Sequence, residues 1–363
     1  MKKNDFSDPA AASALTESIH RLAAQLPVVR LMEVCGTHTM EIGRLGIRHL
    51  LPANIELISG PGCPVCVTPA SYIDAAAALA MANRRLRIVT FGDLFRVPGN
   101  RSSFAQAKAR GAAIDIASTP RIALEIARNH PGEEVIFTAV GFETTAPATA
   151  AAVLAGVAEK LDNLTFLVAH RLVPPALDAL VADPSLRIAG FLLPGHVSAI
   201  IGADAYGTLV NHGIPGVVTG FEPLDILAGI CMLLDLIVRQ EVRIKNAYTR
   251  IVTPQGNEMA LRLIGKVYEP CHAMWRGIGA FPESGLKLRS EYAACDAAIR
   301  FGLADDEAEM PEGCACGGVL VGRIRPDECP LFATACTPDH PGGPCMVSSE
   351  GACAAAFKYG CRP

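Results

Sequence analysis

The residues of this 363-residue chain best suited to chemistry are its thiols: Cys35, Cys63 and Cys66 near the start, and seven more between Cys314 and Cys361. Thiolates are soft, redox-active ligands, so two such concentrations point to two metal or redox centres. Cys63 and Cys66 form a C-x-x-C pair between a Gly-Pro-Gly turn and a helical run. Such a pair can close a disulfide, carry two electrons, or offer two thiolates to a metal. Half a zinc site is the competing interpretation, but no second ligand pair follows at zinc-finger spacing. Cys35 opens the run Cys35-Gly36-Thr37-His38-Thr39. There, an imidazole and helix N-terminal amides would lower the thiol pKa and present a thiolate to a metal or an electrophile. A buried cysteine acting as a small hydrophobe is the plainer alternative.

In the tail, Cys329, Cys336, Cys345 and Cys353 follow Cys314-Ala315-Cys316 amid Pro and Gly turns, and Cys361 comes after them. Four spaced thiols in a wrapping loop suit a [4Fe–4S] cube, which takes four thiolates. Zinc sites use tighter C-x₂₋₄-C knuckles than these. Cys329, Cys336, Cys345 and Cys353 are the expected ligands, although spacing alone does not choose among the seven tail thiols. Three more polar groups sit in short motifs: His38, Glu143 in Gly141-Phe142-Glu143-Thr144-Thr145, and His196 in Gly195-His196-Val197-Ser198. Each could hydrogen-bond a bound group or move a proton. Capping and ordinary hydrogen bonding are the simpler roles for such residues. Asp93 and His170-Arg171 end further strand candidates, and the latter pair could bind an anion.

The elements that must position these groups alternate between short β-rich runs and Ala/Leu-rich helical stretches. Strands are expected over residues 28–34, 55–59, 86–91, 113–117, 134–140, 164–169, 188–194 and 215–221. Most are continuous apolar runs, as parallel strands covered on both faces require. Helices over residues 69–82, 144–160 and 223–240 complete βαβ units. The fold class is therefore α/β: two similar open, mostly parallel, Rossmann-like domains with a Cys-rich iron–sulfur domain at the C-terminus. The boundaries expected are 25–140 with Cys35 and Cys63/Cys66, 141–240, and 241–363 joined by residues 1–24. In open α/β sheets ligands lie beyond the carboxyl ends of strands, and the four polar motifs all follow strand candidates.

Half of the residues are hydrophobic and 19% are charged, which argues against disorder. A net charge of −4 without a basic run gives no footprint for nucleic acid or an anionic membrane. Residues 224–238 are apolar but too short to span a bilayer, and the N-terminus lacks a signal-peptide core. The expectation is a cytoplasmic protein with no membrane or nucleic-acid partner. In a reducing cytosol its many cysteines imply metal binding or catalysis.

Five segments, EVCGTHTM (33–40), ISGPGCPVCVTP (58–69), VGFETTAP (140–147), FLLPGHVSAIIG (191–202) and CMVSSEGACAA (345–355), resemble the HypD family of hydrogenase maturation factors. The likeness runs across essentially the whole chain. It implies a scaffold and redox protein on which the Fe(CN)₂CO group of [NiFe]-hydrogenases is assembled. It also implies two similar α/β domains, a third domain with a [4Fe–4S] cluster, and an Fe(II) carrying CN and CO. The implied partners are a HypC-type small chaperone and HypE, which delivers cyanide after charging by HypF. Carried over by motif, Cys35 would bind the iron, Cys63 and Cys66 would be the redox pair and potential metal ligands beside it, and tail cysteines would hold the cluster. His38, Glu143 and His196 would contact cyanide nitrogens or move protons. Two other interpretations use the same cysteines: a cluster-linked thiol–disulfide oxidoreductase, and a zinc-tailed binding module.

Overall fold

The computed structural model describes residues 8–303 and 313–360. All eight expected strands are present: β1 Val29–Glu33, β2 Ile55–Ser59, β3 Leu86–Phe91, β4 Ala113–Ala117, β5 Glu134–Gly141, β6 Leu164–His170, β7 Ile188–Pro194 and β8 Gly216–Thr219. A short β9 (Ile244–Asn246) and a hairpin of β10 (Tyr268–Trp275) and β11 (Gly279–Leu288) complete the set. One sheet has the order β2-β1-β7-β8-β9 and the other β4-β3-β5-β6, and every pairing in both is parallel. β5 and β7 are buried almost end to end, which explains their unbroken apolar runs. Fully burying side chains such as Ile88, Ile136 and Phe137 contributes roughly 1.5–3 kcal/mol each.

Strand order corrects the expected division of the chain. A cut at residue 140 would pass through β5, whose partner β6 is registered with it from Val135↔Leu164 to Gly141↔His170. The chain instead leaves the first sheet after β2, builds the whole second sheet with β3–β6, and returns to place β7 beside β1. The boundary at 240 also moves, because β9 belongs to the first sheet. The N-terminal helix Pro9–Ala23 packs on the helix Pro223–Val238 and shares a core with Leu31, Leu192 and Val217. It thus belongs with the first sheet rather than with the tail. Its buried Ile19 and Ala23 need an apolar partner face, and the Leu/Ile-rich helix Pro223–Val238 provides one.

The hairpin β10–β11 docks on β6, with Leu172 N–H donating to Ser284 O at 2.9 Å and Arg171 donating Nη2 to Met274 O at 2.8 Å. Arg171 thereby pins the hairpin, and His170 is wholly buried, so the anion site considered for this pair is not formed. One apolar core runs from Met32 and Ile58 through Ile88 and Ile136 to Val319, Leu320 and Met346, which joins both sheets and the tail. Among the described residues no helix is long and apolar enough to cross a membrane.

Each sheet reverses its winding once, between β1 and β7 in the first and between β3 and β5 in the second. The crevice beyond such a reversal is where open α/β sheets bind ligands. Cys35 follows β1 and His196 follows β7, whereas Asp93 follows β3 and Glu143 follows β5.

Candidate metal and redox site

Cys35 leaves β1 in extended conformation (φ −155°, ψ 124°) and caps the helix Gly36–Arg44. Two glycines let three segments close on it. The Gly36 N–H donates to Gly62 O at 2.9 Å. A Cβ on Gly62 would stand 2.4 Å from Cys35 N, and one on Gly36 would stand 2.4 Å from Glu350 Cβ. No side chain fits at such separations, so the residue type at both positions follows from backbone contact. Just behind, the fully buried Glu33 carboxyl accepts from Ser59 Oγ (2.7 Å), Thr39 Oγ1 (2.8 Å) and Arg48 Nη2 (3.2 Å), tying β1, β2 and the helix together. Burial raises its pKa to about 7 against the pull of Arg48 and the hydroxyls.

The Cys35 thiol is buried, and burial pushes its pKa up to about 12, with the nearby Glu350 charge adding to the effect. Amide N–H groups of His38 and Thr37 oppose the rise. The lowered pKa expected from its position is thus overridden by desolvation, and the group stays a thiol until a cation meets it.

Cys63 and Cys66 are joined as a disulfide with a Cα–Cα distance of 5.2 Å, so neither sulfur is a thiolate in this state. Cys63 caps the one-turn helix Pro64–Val67, its Sγ accepting the Cys66 N–H at 3.2 Å. Ser348 Oγ lies 3.2 Å from Cys63 Sγ. Two residues on, Glu350 donates its N–H to Ser348 Oγ (3.1 Å) and accepts from Thr37 Oγ1 (2.9 Å). Segment 345–350 therefore touches the disulfide through Ser348 and the Cys35 loop through Glu350.

The same segment begins at Cys345, in the wall of a pocket lined by Cys314, Cys316, Cys329, Cys336, Cys345 and Cys353 with Leu331, Phe332, Gly343 and Met346. All four expected ligands are there, and Cys314 and Cys316 join them; Cys361 lies outside the described residues. Cys336 Sγ accepts the Gly342 N–H at 3.2 Å. Thiol hydrogen bonds from Cys314 and Cys345 lower the pKa of Cys316 and raise their own. Soft donors in apolar walls, with a backbone N–H on a sulfur, fit an iron–sulfur cluster in chemistry. Among the described residues no three His, Cys, Asp or Glu side chains gather where one metal ion could sit. A cube differs from a single ion, since each thiolate takes a different corner iron.

The buried His38 donates Nε2–H to Gly220 O (2.9 Å), which leaves a buried Nδ1 lone pair with no partner among the described residues. Burial lowers its pKa to about 4, so the ring is neutral. Phe221 lies between His38 (ring centroids 4.6 Å apart) and the exposed His196 (3.9 Å). Glu143 accepts from Val173 N–H at 2.8 Å through Oε1, while its buried Oε2 has no partner among the described residues. Burial raises that carboxyl to about 7, where it can release or take up a proton near neutrality. Tyr206 is buried, bonds Ser198 Oγ at 3.0 Å, and feels the charges of both Glu143 and Cys35. Sequence reasoning missed Tyr206, Phe221, Ser348 and Glu350. Only the last two had a signal, inside the segment 345–355.

The chain matches a family model described as "HypD: Hydrogenase formation hypA family" over residues 10–360. It is 45% identical to the hydrogenase maturation factor HypD of Rhodobacter capsulatus, with 98% of this chain and 97% of that protein covered. Identity to the HypD of Rhizobium leguminosarum bv. viciae is 43%, covering 98% and 95%. For the HypD of Escherichia coli K12 it is 40%, covering 98% and 97%.

Proposed function

The chain belongs to the HypD family of hydrogenase maturation factors, and from that premise we propose that it is the scaffold on which the Fe(CN)₂CO group of [NiFe]-hydrogenases is built. The iron is cargo, bound through Cys35 and shared with a thiolate from a HypC-type chaperone. HypE, charged by HypF, brings cyanide, and assembly takes place in the cytoplasm. Arrival of Fe(II) at the buried Cys35 thiol displaces its proton, since coordination to a cation outweighs the desolvation that otherwise keeps it neutral. Thiolate donors suit a low-spin iron carrying CN and CO. The Nδ1 lone pair of His38 and the Oε2 of Glu143 are buried groups without a partner among the described residues. They are the residues proposed to take up the displaced proton or to hydrogen-bond a diatomic ligand, with His196 at the open side.

The supporting observation is segment 345–350, which runs from a tail thiol past the disulfide to the Cys35 loop. A [4Fe–4S] cluster held by tail thiols would supply single electrons. Two electrons and two protons convert the Cys63–Cys66 disulfide to two thiols, and the reverse returns them. Ser348 orients the first of those sulfurs. A thiol–disulfide reductase acting on other proteins would need a sulfur that a partner can reach, whereas Cys63 and Cys66 are 2% and 0% exposed. In anaerobically purified complex with the small chaperone, Cys35→Ala is expected to abolish the iron–cyanide infrared bands. Bands of full intensity in that variant would remove Cys35 from the site.

A further inference from the structure

The turn between β10 and β11 buries a charge with no role so far. Arg276, directly after β10, is 3% exposed. Its backbone N–H donates to Val67 O at 2.8 Å, at the end of the Cys63–Cys66 helix, and Nη1 donates to Pro98 O at 2.9 Å. Nε and Nη2 are buried without any hydrogen-bond partner among the described residues. On the other side the next residue lies against the tail. A Cβ on Gly317, which follows Cys316, would stand 2.1 Å from Gly277 O. The backbone of residues 276 and 277 is thus held between the redox helix and the segment that carries Cys316.

A buried guanidinium with orphaned N–H groups is strongly destabilising unless a countercharge faces it. Asp74 is occupied elsewhere, accepting the backbone N–H groups of Asn100, Arg101 and Ser102 at 2.7, 2.9 and 3.0 Å. Burial lowers the Arg276 pKa, and the groups opposing that fall are Cys316, Cys345 and Cys314, followed by Asp74. Three of these four are thiols of the tail pocket.

We propose that Arg276 is the countercharge of the tail sulfur centre and sets how readily that centre is reduced. The proposal rests on the iron–sulfur assignment above. A cluster bound by four thiolates is anionic and gains one more negative charge on reduction. A fixed cation in a low-dielectric wall stabilises the reduced form more than the oxidised one, which raises the potential. The hydrogen bonds of Arg276 go to Val67 O and Pro98 O rather than to a site thiol, so its proposed role is tuning. The plainer alternative is that it only pins the hairpin turn to Val67 and Pro98.

The full chain, purified anaerobically with its own iron and sulfide, is compared with Arg276→Gln and Arg276→Lys. Reduced cluster is followed by electron paramagnetic resonance during titration with dithionite and viologen mediators. At the wild-type midpoint, Arg276→Gln is expected to show at least a tenfold lower ratio of reduced to oxidised cluster, about 59 mV for a one-electron couple. Arg276→Lys, which keeps the charge, is expected to stay close to wild type. A Gln variant that loses iron while the Lys variant keeps it also supports the proposal. An unchanged midpoint in an iron-replete Gln variant overturns it, as do equal shifts or equal iron loss in both variants, which assign the effect to packing. Wild-type protein that holds zinc, or neither iron nor sulfide, overturns the iron–sulfur assignment and the proposal with it.

Discussion

Two sulfur regions of this molecule are built in opposite ways. Cys35 and the Cys63–Cys66 pair stand where strands of a buried parallel sheet end, with backbone pressed on backbone through Gly36 and Gly62. The tail thiols stand in turns and helices of eight residues or fewer, joined to the common core by Val319, Leu320, Val321 and Met346 with Leu331, Phe332 and Val347 packed against it. The first arrangement fixes geometry without help from any ligand. The second consists of short elements, which the proposed cluster would help to organise, as metals do in small domains.

The largest expected effect separates the two directly. Anaerobic removal of iron and sulfide is expected to strip hydrogen-exchange protection from residues 313–360 while amides of β1 and β5 keep theirs. The scale is about 10 kcal/mol, typical of structural metals in small domains. Equal protection before and after removal would show a tail that folds by its own core. Next comes backbone crowding at the rigid site. Gly62→Ala is expected to cost about 3 kcal/mol in urea denaturation, since a Cβ must enter the Cys35 backbone. Gly132→Ala, with open space around its Cβ, serves as the control and should change stability by about 0.5 kcal/mol or less.

Smaller again is the pH dependence set by Glu143, whose folded pKa is raised to about 7 from 4.5. Between these values the folded chain binds the proton that the unfolded chain has released. Its contribution is therefore present below pH 4.5 and is lost as pH rises through 7. Glu143→Gln should flatten the fall in stability across that window, by about 3 kcal/mol. A slope identical to wild type would mean that the carboxyl ionises freely. The smallest effect is at the link between regions. Ser348→Ala removes the hydroxyl facing Cys63, and should disfavour the reduced pair by about 1 kcal/mol, roughly fivefold in a glutathione titration. No change there would leave Ser348 a mere turn residue.

Much of the scaffold was legible in the chain, because unbroken apolar runs such as those of β5 and β7 report burial on both faces. The polar motifs could be placed at strand ends for the same reason. Strand order was not legible: β7 pairs with β1, Arg30 standing opposite the sequence-distant Ile188, and nothing local in Ile188–Pro194 states which sheet it joins. The hairpin β10–β11 escaped notice because its half-exposed strands lack a buried parallel run. At the site, the cysteines identify themselves by type, whereas Tyr206, Phe221, Ser348 and Arg276 matter only through neighbours that folding brings to them. The thiol of Cys35 also went against expectation, since desolvation outweighs the helix amides at a position that sequence alone could not show to be buried.

The claim on which this account turns is that electrons entering the tail centre open the Cys63–Cys66 bond. Anaerobic photoreduction followed by alkylation and peptide mass analysis reads it directly, comparing wild type with a Cys329→Ser/Cys336→Ser variant. Alkylation of Cys63 and Cys66 in wild type, with the bond intact in the variant, is the outcome expected. Equal opening of the bond in both proteins would contradict the connection between the two regions.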